Sequence, residues 1–241
     1  MSDPTLLYQT GIEALRMGQF AEAASLSEEA VTQFPEEGRL WELLGIACCR
    51  SGQTARGLEA LETASLLKPL DPAARFCLAE CYAAIGKPEL AVFVYQQLAE
   101  SDLTPLALMP RIASRLGQLN QFAEALDVCR SIVRRDDTRH EAHFGISYYL
   151  RRLGRPVEQV AEAVGRAHEL APEVSLYRIV LAGLWHEMGR TADACEILRG
   201  VPLDTIDCPA ALRRMMVVFR AARDSSRSEA CCRRLQQFET E

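Results

Sequence analysis

Lysine is almost missing from this chain: of its 27 basic residues only Lys68 and Lys87 are lysines. Such an arginine bias goes with a GC-rich coding genome, and a bacterial source is expected. Long apolar runs are missing too. No stretch approaches the roughly 18 uncharged apolar residues of a membrane-spanning helix, so insertion into a membrane by a helix is excluded. The first residues, Met1-Ser2-Asp3-Pro4, lack the basic segment and apolar run of a secretory signal. The nine cysteines are odd in number and lack the spacing of a disulfide framework, which points to a reducing compartment. A cytoplasmic location follows as the expectation.

The chemistry of common enzymes is absent as well. There is no Gly-x-Ser-x-Gly elbow, no phosphate loop and no dinucleotide fingerprint. Carboxylates are scattered rather than paired with a nucleophile. The chain is read as no enzyme, with no catalytic residue and no cofactor. Its net charge of −6 is uneven, with −8 over residues 1–105, +2 over 106–170, −3 over 171–208 and +3 over 209–241. An acidic first half does not track a phosphate backbone, so nucleic acid is not the expected partner.

What the chain does have is a beat. Glycine returns every 34 residues at Gly18, Gly52 and Gly86, and the next step lands on Asn120, the residue that best replaces glycine where φ must be positive. Gly154 and Gly189 continue the series, the last step being 35. Proline shares the period at Pro35, Pro69 and Pro172. A repeat of this length is the signature of stacked helix–turn–helix units. Within residues 38–71, Trp41, Leu44, Gly45 and Cys48 lie on one helical face, and Gly57, Leu61, Ala64 and Leu67 on a second. Small residues recur where paired helices must cross: Gly11, Gly45, Ala79, Ala113, Ser147 and Ala182 in the first helices, and Ala23, Gly57, Ala91, Ala125 and Ala194 in the second. The units are placed at about 4–37, 38–71, 72–105, 106–139, 140–174 and 175–208. A degenerate closing unit fills 209–241, with its turn at Asp224-Ser225-Ser226. All are read as one solenoid domain.

These residues resemble the tetratricopeptide repeat. Trp41-Glu42-Leu43-Leu44-Gly45, Gly52, Ala64 and Pro69 follow its pattern, as do Gly18-Gln19-Phe20-Ala21-Glu22-Ala23 and Asn120-Gln121-Phe122-Ala123-Glu124-Ala125. The resemblance covers nearly the whole chain. It implies an all-α fold, a right-handed superhelix of antiparallel helix pairs whose first helices line a concave groove. It also implies a scaffold that holds a peptide or helix of another protein.

On helical periodicity the groove is expected to carry Tyr8, Ile12, Arg16, Glu42, Arg50, Phe76, Glu80, Phe144, Tyr148, Arg151, Arg152, Ile179, His186, Met215 and Phe219. Aromatic and arginine side chains of this kind anchor protein interfaces. The lysine–asparagine pair with which some of these repeats clamp a chaperone tail is absent, so a partner segment with apolar anchors and some acidic character is expected. Cys48-Cys49 with Cys77 and Cys81 lacks zinc-ribbon spacing and reads as core thiols. The sequence His140-Glu141-Ala142-His143 lacks a third ligand, so no metal site is expected. Three readings of function stay open: a stand-alone adaptor, a scaffold that self-associates through its solenoid ends, and the regulatory domain of a larger enzyme.

Overall fold

The computed structural model describes residues 3–239. Its regular structure is helical throughout: α1 (Pro4–Arg16), α2 (Phe20–Gln33), α3 (Gly38–Arg50), α4 (Thr54–Leu67), α5 (Pro72–Ala84), α6 (Pro88–Glu100), α7 (Met109–Gln118), α8 (Phe122–Arg135), α9 (His140–Arg152), α10 (Val157–Leu170), α11 (Ser175–Glu187), α12 (Thr191–Arg199), α13 (Pro209–Ala221) and α14 (Ser225–Glu239). Short 3₁₀ turns at Leu106–Leu108 and Leu203–Thr205 precede α7 and α13. The chain is an all-α solenoid of antiparallel helix pairs. It divides into two compact units, residues 3–124 and 125–239.

One turn is used seven times to join the helices of a pair. Each first helix ends in a residue of positive φ: Gly18, Gly52, Gly86, Asn120, Gly154, Gly189 and Arg223. The N–H of that residue donates to the carbonyl three residues back, at 3.0–3.3 Å. The next N–H reaches five residues back, at 2.8–3.0 Å. Gly18 N to Leu15 O and Gln19 N to Ala14 O show the pattern. This paired bonding satisfies carbonyls that a helix end otherwise leaves open. The next helix then starts two residues on, except after Gly154, where Arg155 and Pro156 carry the extra residue of the fifth repeat.

The seventh turn differs from the sequence expectation. Its left-handed residue is Arg223, φ 59°, one position before the Asp224-Ser225-Ser226 stretch. Arginine pays about 1–2 kcal/mol for this conformation. Arg223→Gly is therefore expected to stabilise the protein by about 0.5–1 kcal/mol, after allowing for the freer unfolded chain. The denaturant midpoint would rise without a change in slope; an unchanged or lower midpoint would count against a left-handed turn at this position.

The small residues sit where helices touch. Ala79, Ala182, Ala23, Ala91, Ala125 and Ala194 are wholly buried. At Gly11 an added Cβ would lie 2.5 Å from Leu43 Cδ2, so α1 approaches α3 more closely than any side chain permits. In the first unit Leu40, Leu44, Ala47 and Cys48 of α3 join Ala23, Ala30 and Val31 of α2 in one core. In the second, Ile179 and Ala182 of α11, Leu198 of α12, and Leu212, Met215 and Phe219 of α13 do the same.

Candidate partner-binding face

In the second unit the first helices α9, α11 and α13 lie side by side along one open pocket of about 650 Å³. Phe144, Tyr148 and Arg151 come from α9. Leu176, Val180, Gly183, His186 and Glu187 come from α11, and Arg213, Arg214 and Val217 from α13. Tyr148, Leu176 and Val217 stand 50%, 46% and 52% exposed, high values for large apolar side chains that share one concavity. Phe144 is held by Tyr177, ring centroids 5.0 Å apart. The Tyr177 hydroxyl in turn meets His140 Nδ1 at 2.8 Å. Tyr148 packs edge-on against Tyr149 at 5.1 Å, and Arg152 Nη1 donates to the Tyr148 hydroxyl at 3.5 Å. Arg151 donates to Glu187 at 3.0 Å across α9 and α11. His186 is half-buried, its Nδ1 3.0 Å from the Thr191 hydroxyl.

The same unit carries a larger depression of about 920 Å³ around Trp185, Leu150 and Glu162. Its charges are largely matched already. Arg166 pairs with Glu169 at 3.0 Å, Arg130 with Asp127 at 3.2 Å and Arg190 with Asp193 at 2.8 Å, while the Arg190 guanidinium covers the Trp185 ring. It offers a partner less than the α9–α11–α13 pocket does.

In the first unit a smaller pocket of about 300 Å³ is lined by Glu80, Tyr95, Arg115 and Gln118. Glu80 accepts from the Tyr95 hydroxyl and from Arg115 Nη2, the latter at 2.5 Å. Burial, then the bond to Glu80, pushes the Tyr95 phenol well above its ordinary range. Tyr8 and Ile12 on α1 are half-buried, and Arg39 lies 5.6 Å from the Tyr8 ring centroid. Arg16 and Arg50 are exposed, with the Arg50 guanidinium over Phe20.

Five of the expected groove residues turn out to be core. Phe76 is 1% exposed, wedged between the Tyr95 ring at 5.5 Å and the Arg111 guanidinium at 4.4 Å. Ile179, Met215 and Phe219 lie in the core of the second unit. Glu42 is buried and holds Lys68 Nζ at 2.5 Å and the Asp71 N–H at 2.7 Å. The cause is common to the four apolar ones. A first helix packs against its own second helix and against first helices beside it, so its open stripe is narrow. One residue of register turns a side chain by about 100°, from groove to core. Leu176, Val180, Arg213, Arg214 and Val217 fill the places that Ile179, Met215 and Phe219 were expected to hold. Their i, i+4 spacings, Leu176 to Val180 and Arg213 to Val217, are the signal that could have found them.

The cysteine and histidine constellations singled out in the sequence make the following contacts. Cys49 Sγ donates to the Cys77 carbonyl at 3.7 Å. Hydrogen bonds from the thiols of Cys77 and Cys81 draw the Cys49 thiol below its ordinary range, and theirs are raised. His143 Nε2 meets the Asp137 carbonyl at 3.1 Å while His140 faces Tyr177, so the two rings do not converge. Among the described residues no group of three or more His, Cys, Asp or Glu side chains is placed to hold a metal ion. No helix among them is long and apolar enough to cross a membrane.

Helix pairs in fixed register, joined by one recurring turn, define an α-helical repeat protein. Two family profiles, each described as "Tetratricopeptide repeat", match residues 14–75 and 49–105. Residues 14–105 thus match tetratricopeptide repeats, and the helix pairs over the rest of the described chain are consistent with a tetratricopeptide-repeat protein. Over 189 residues, 75% of its length, it is 27% identical to the BBSome complex member BBS4 of Mus musculus, and it spans about a third of that relative, 35%. Among solved structures it superposes on the C-terminal part of a repeat protein from Cytophaga hutchinsonii with a TM-score of 0.74, at 13% identity and over 95% of this chain and 93% of that one. The structure titled "MamA MSR-1 C2" matches at TM-score 0.56 and 24% identity, over 70% and 97% of the two chains. YrrB, titled a TPR protein with an unusual peptide-binding site, matches at 0.58 and 13%, over 73% and 90%. At these identities the likeness is one of fold. That fold supports protein interaction in general, and proteins built from it are generally non-catalytic scaffolds.

Proposed function

We propose that this chain is a non-catalytic adaptor that holds a segment of another protein against the first helices of its second unit. One observation carries the reading. Tyr148, Leu176 and Val217, from three successive first helices, expose apolar surface into a single pocket. A scattered exposed leucine needs no explanation, but clustered apolar surface with arginines at its edge has the composition of an interaction site. Two of the similar proteins, a member of a complex and a repeat protein with a peptide-binding site, agree with it.

The test is capture from lysate of the source cells, comparing the wild type with a Tyr148→Arg/Val217→Arg variant. Both positions are half exposed, so the variant is expected to keep the wild-type circular dichroism. A protein retained by the wild type and lost from the variant, by about tenfold or more, is the expected result. Identical captures would remove the site from this pocket. Recovery of the chain alone, with size rising with concentration, would replace the adaptor by a self-associating scaffold.

A further inference from the structure

The apolar floor of the α9–α11–α13 pocket is flanked by charge of one sign. Its single carboxylate, Glu187, is already matched by Arg151 at 3.0 Å. Arg213 and Arg214, both exposed in the second turn of α13, line the pocket and form no ion pair or hydrogen bond among the described residues. The pocket thus offers two unmatched guanidinium groups beside Tyr148, Leu176, Val180 and Val217.

Arg214 is also placed rather than free. Gly183 on α11 lies under its stem, and a Cβ added there would come within 2.9 Å of Arg214 Cδ and 3.4 Å of its Cγ. The missing side chain lets the arginine stem lie across α11 with its head at the pocket edge. A side chain already laid against the surface loses less freedom when it binds. The two long stems also add apolar cover to the floor.

We infer that the occupant of this pocket is a segment of another protein, in which large apolar side chains are flanked by aspartate or glutamate. The inference rests on the adaptor reading above and names the chemistry of its partner. The apolar side chains cover Tyr148, Leu176 and Val217, while the carboxylates meet Arg213 and Arg214, in the planar pairing that guanidinium groups favour. Neighbouring first-helix axes lie about 8–10 Å apart, so the pocket spans about 20 Å, the reach of about six extended residues. A basic segment would set like charges against Arg213 and Arg214. A nucleic acid would find two free cations on apolar walls in a chain of net charge −6, too little for a phosphate track.

The experiment selects short random peptides, displayed with both ends in a carrier chain, on the immobilised full-length protein. A selected peptide is then titrated by fluorescence anisotropy. The expected sequences join leucine, isoleucine or phenylalanine to flanking Asp or Glu. Arg213→Glu/Arg214→Glu is expected to weaken binding at least about tenfold, Arg213→Lys/Arg214→Lys to recover only part of it, since lysine keeps the charge and loses the planar pairing, and added salt to weaken it severalfold. Circular dichroism confirms that each variant folds. Selection of basic or uncharged peptides would overturn the inference, as would acidic ones indifferent to Arg213→Glu/Arg214→Glu. If such peptides were still lost on Tyr148→Arg/Val217→Arg, the pocket would remain the binding site and the assigned partner chemistry alone would fall. Peptides indifferent to both variants, or no enrichment at all, would overturn the inference and the adaptor reading together.

Discussion

Gly45→Leu is expected to melt at least the second helix pair and to lower the stability of the first unit by about 3 kcal/mol or more. Gly45 sits where α3 crosses α4. A Cβ built on it would run into Leu61 Cγ and lie 2.8 Å from Leu61 Cδ2 and 3.1 Å from the Leu61 backbone nitrogen. Leu61 cannot yield, because it is itself wholly buried, and one of the three atoms is backbone. The partner helix is equally close. A Cβ on Gly57 would meet the Cys49 nitrogen at 3.0 Å and the Gly45 carbonyl at 3.2 Å. Two glycines thus bring two backbones into near contact, and the neighbouring side chains interlock around them. Leucine forces the helices apart and opens the interdigitated core on both sides. In a chain of this length the loss should appear as a thermal midpoint lower by roughly 6–12 °C. Gly52→Ala is the control. It meets nothing within 4 Å, and its cost is conformational, from φ 81°, at about 1–2 kcal/mol. If Gly45→Leu melted like the wild type, α3 and α4 would not cross at this residue.

The two kinds of glycine explain why the fold was readable and the proposed binding face only partly so. A turn glycine answers to backbone conformation alone, so its position is printed in the sequence whatever packs nearby. Asn120 could be recognised as a stand-in because asparagine tolerates positive φ. Arg223 could not, since arginine carries no such signal, although a step of 34 from Gly189 falls on it. Facing is harder to read. The helix α3 buries Gly38, Leu40, Glu42, Leu43, Leu44, Gly45, Ala47 and Cys48, which lie on most of its circumference. Its hydrophobic periodicity therefore does not mark a single inner side. On α9 the open stripe is polar at one end and aromatic at the other, and Phe144, Tyr148 and Arg151 were legible as neighbours. On α11 and α13 the apolar residues run all round, so Ile179, Met215 and Phe219 could be taken for the stripe that Leu176, Val180 and Val217 form.

Glu42 was misread for a different reason, and its position leads to a second large effect. A carboxylate on a first helix looks like a groove residue until its partners are known, and those lie 26 and 29 residues away. Its side chain is 5% exposed, accepts from Lys68 Nζ at 2.5 Å and from the Asp71 N–H at 2.7 Å, and so ties α3 to the connection entering α5. Lys68, one of two lysines in the chain, also stands 3.8 Å from Asp71 Oδ1. Removing one member of a buried pair costs about 3–5 kcal/mol, because the other charge stays out of water uncompensated. Lys68→Ala is expected near the lower end of that range, since the Asp71 N–H still serves the carboxylate. Glu42→Leu should cost less than Lys68→Ala: Lys68 is 26% exposed and can regain water, though the Asp71 N–H loses its acceptor. The double variant Glu42→Leu/Lys68→Met should lie closer to the wild type than the sum of its parts, giving a coupling of about 1–3 kcal/mol in a denaturant double-mutant cycle. Additive losses would mean that the two groups do not meet. The same variants separate the two places Glu42 could have held. A groove carboxylate would change partner binding and leave stability nearly alone. A buried one changes the unfolding midpoint and leaves the affinity of a partner seated on α9, α11 and α13 unchanged, and that second pattern is the one expected here.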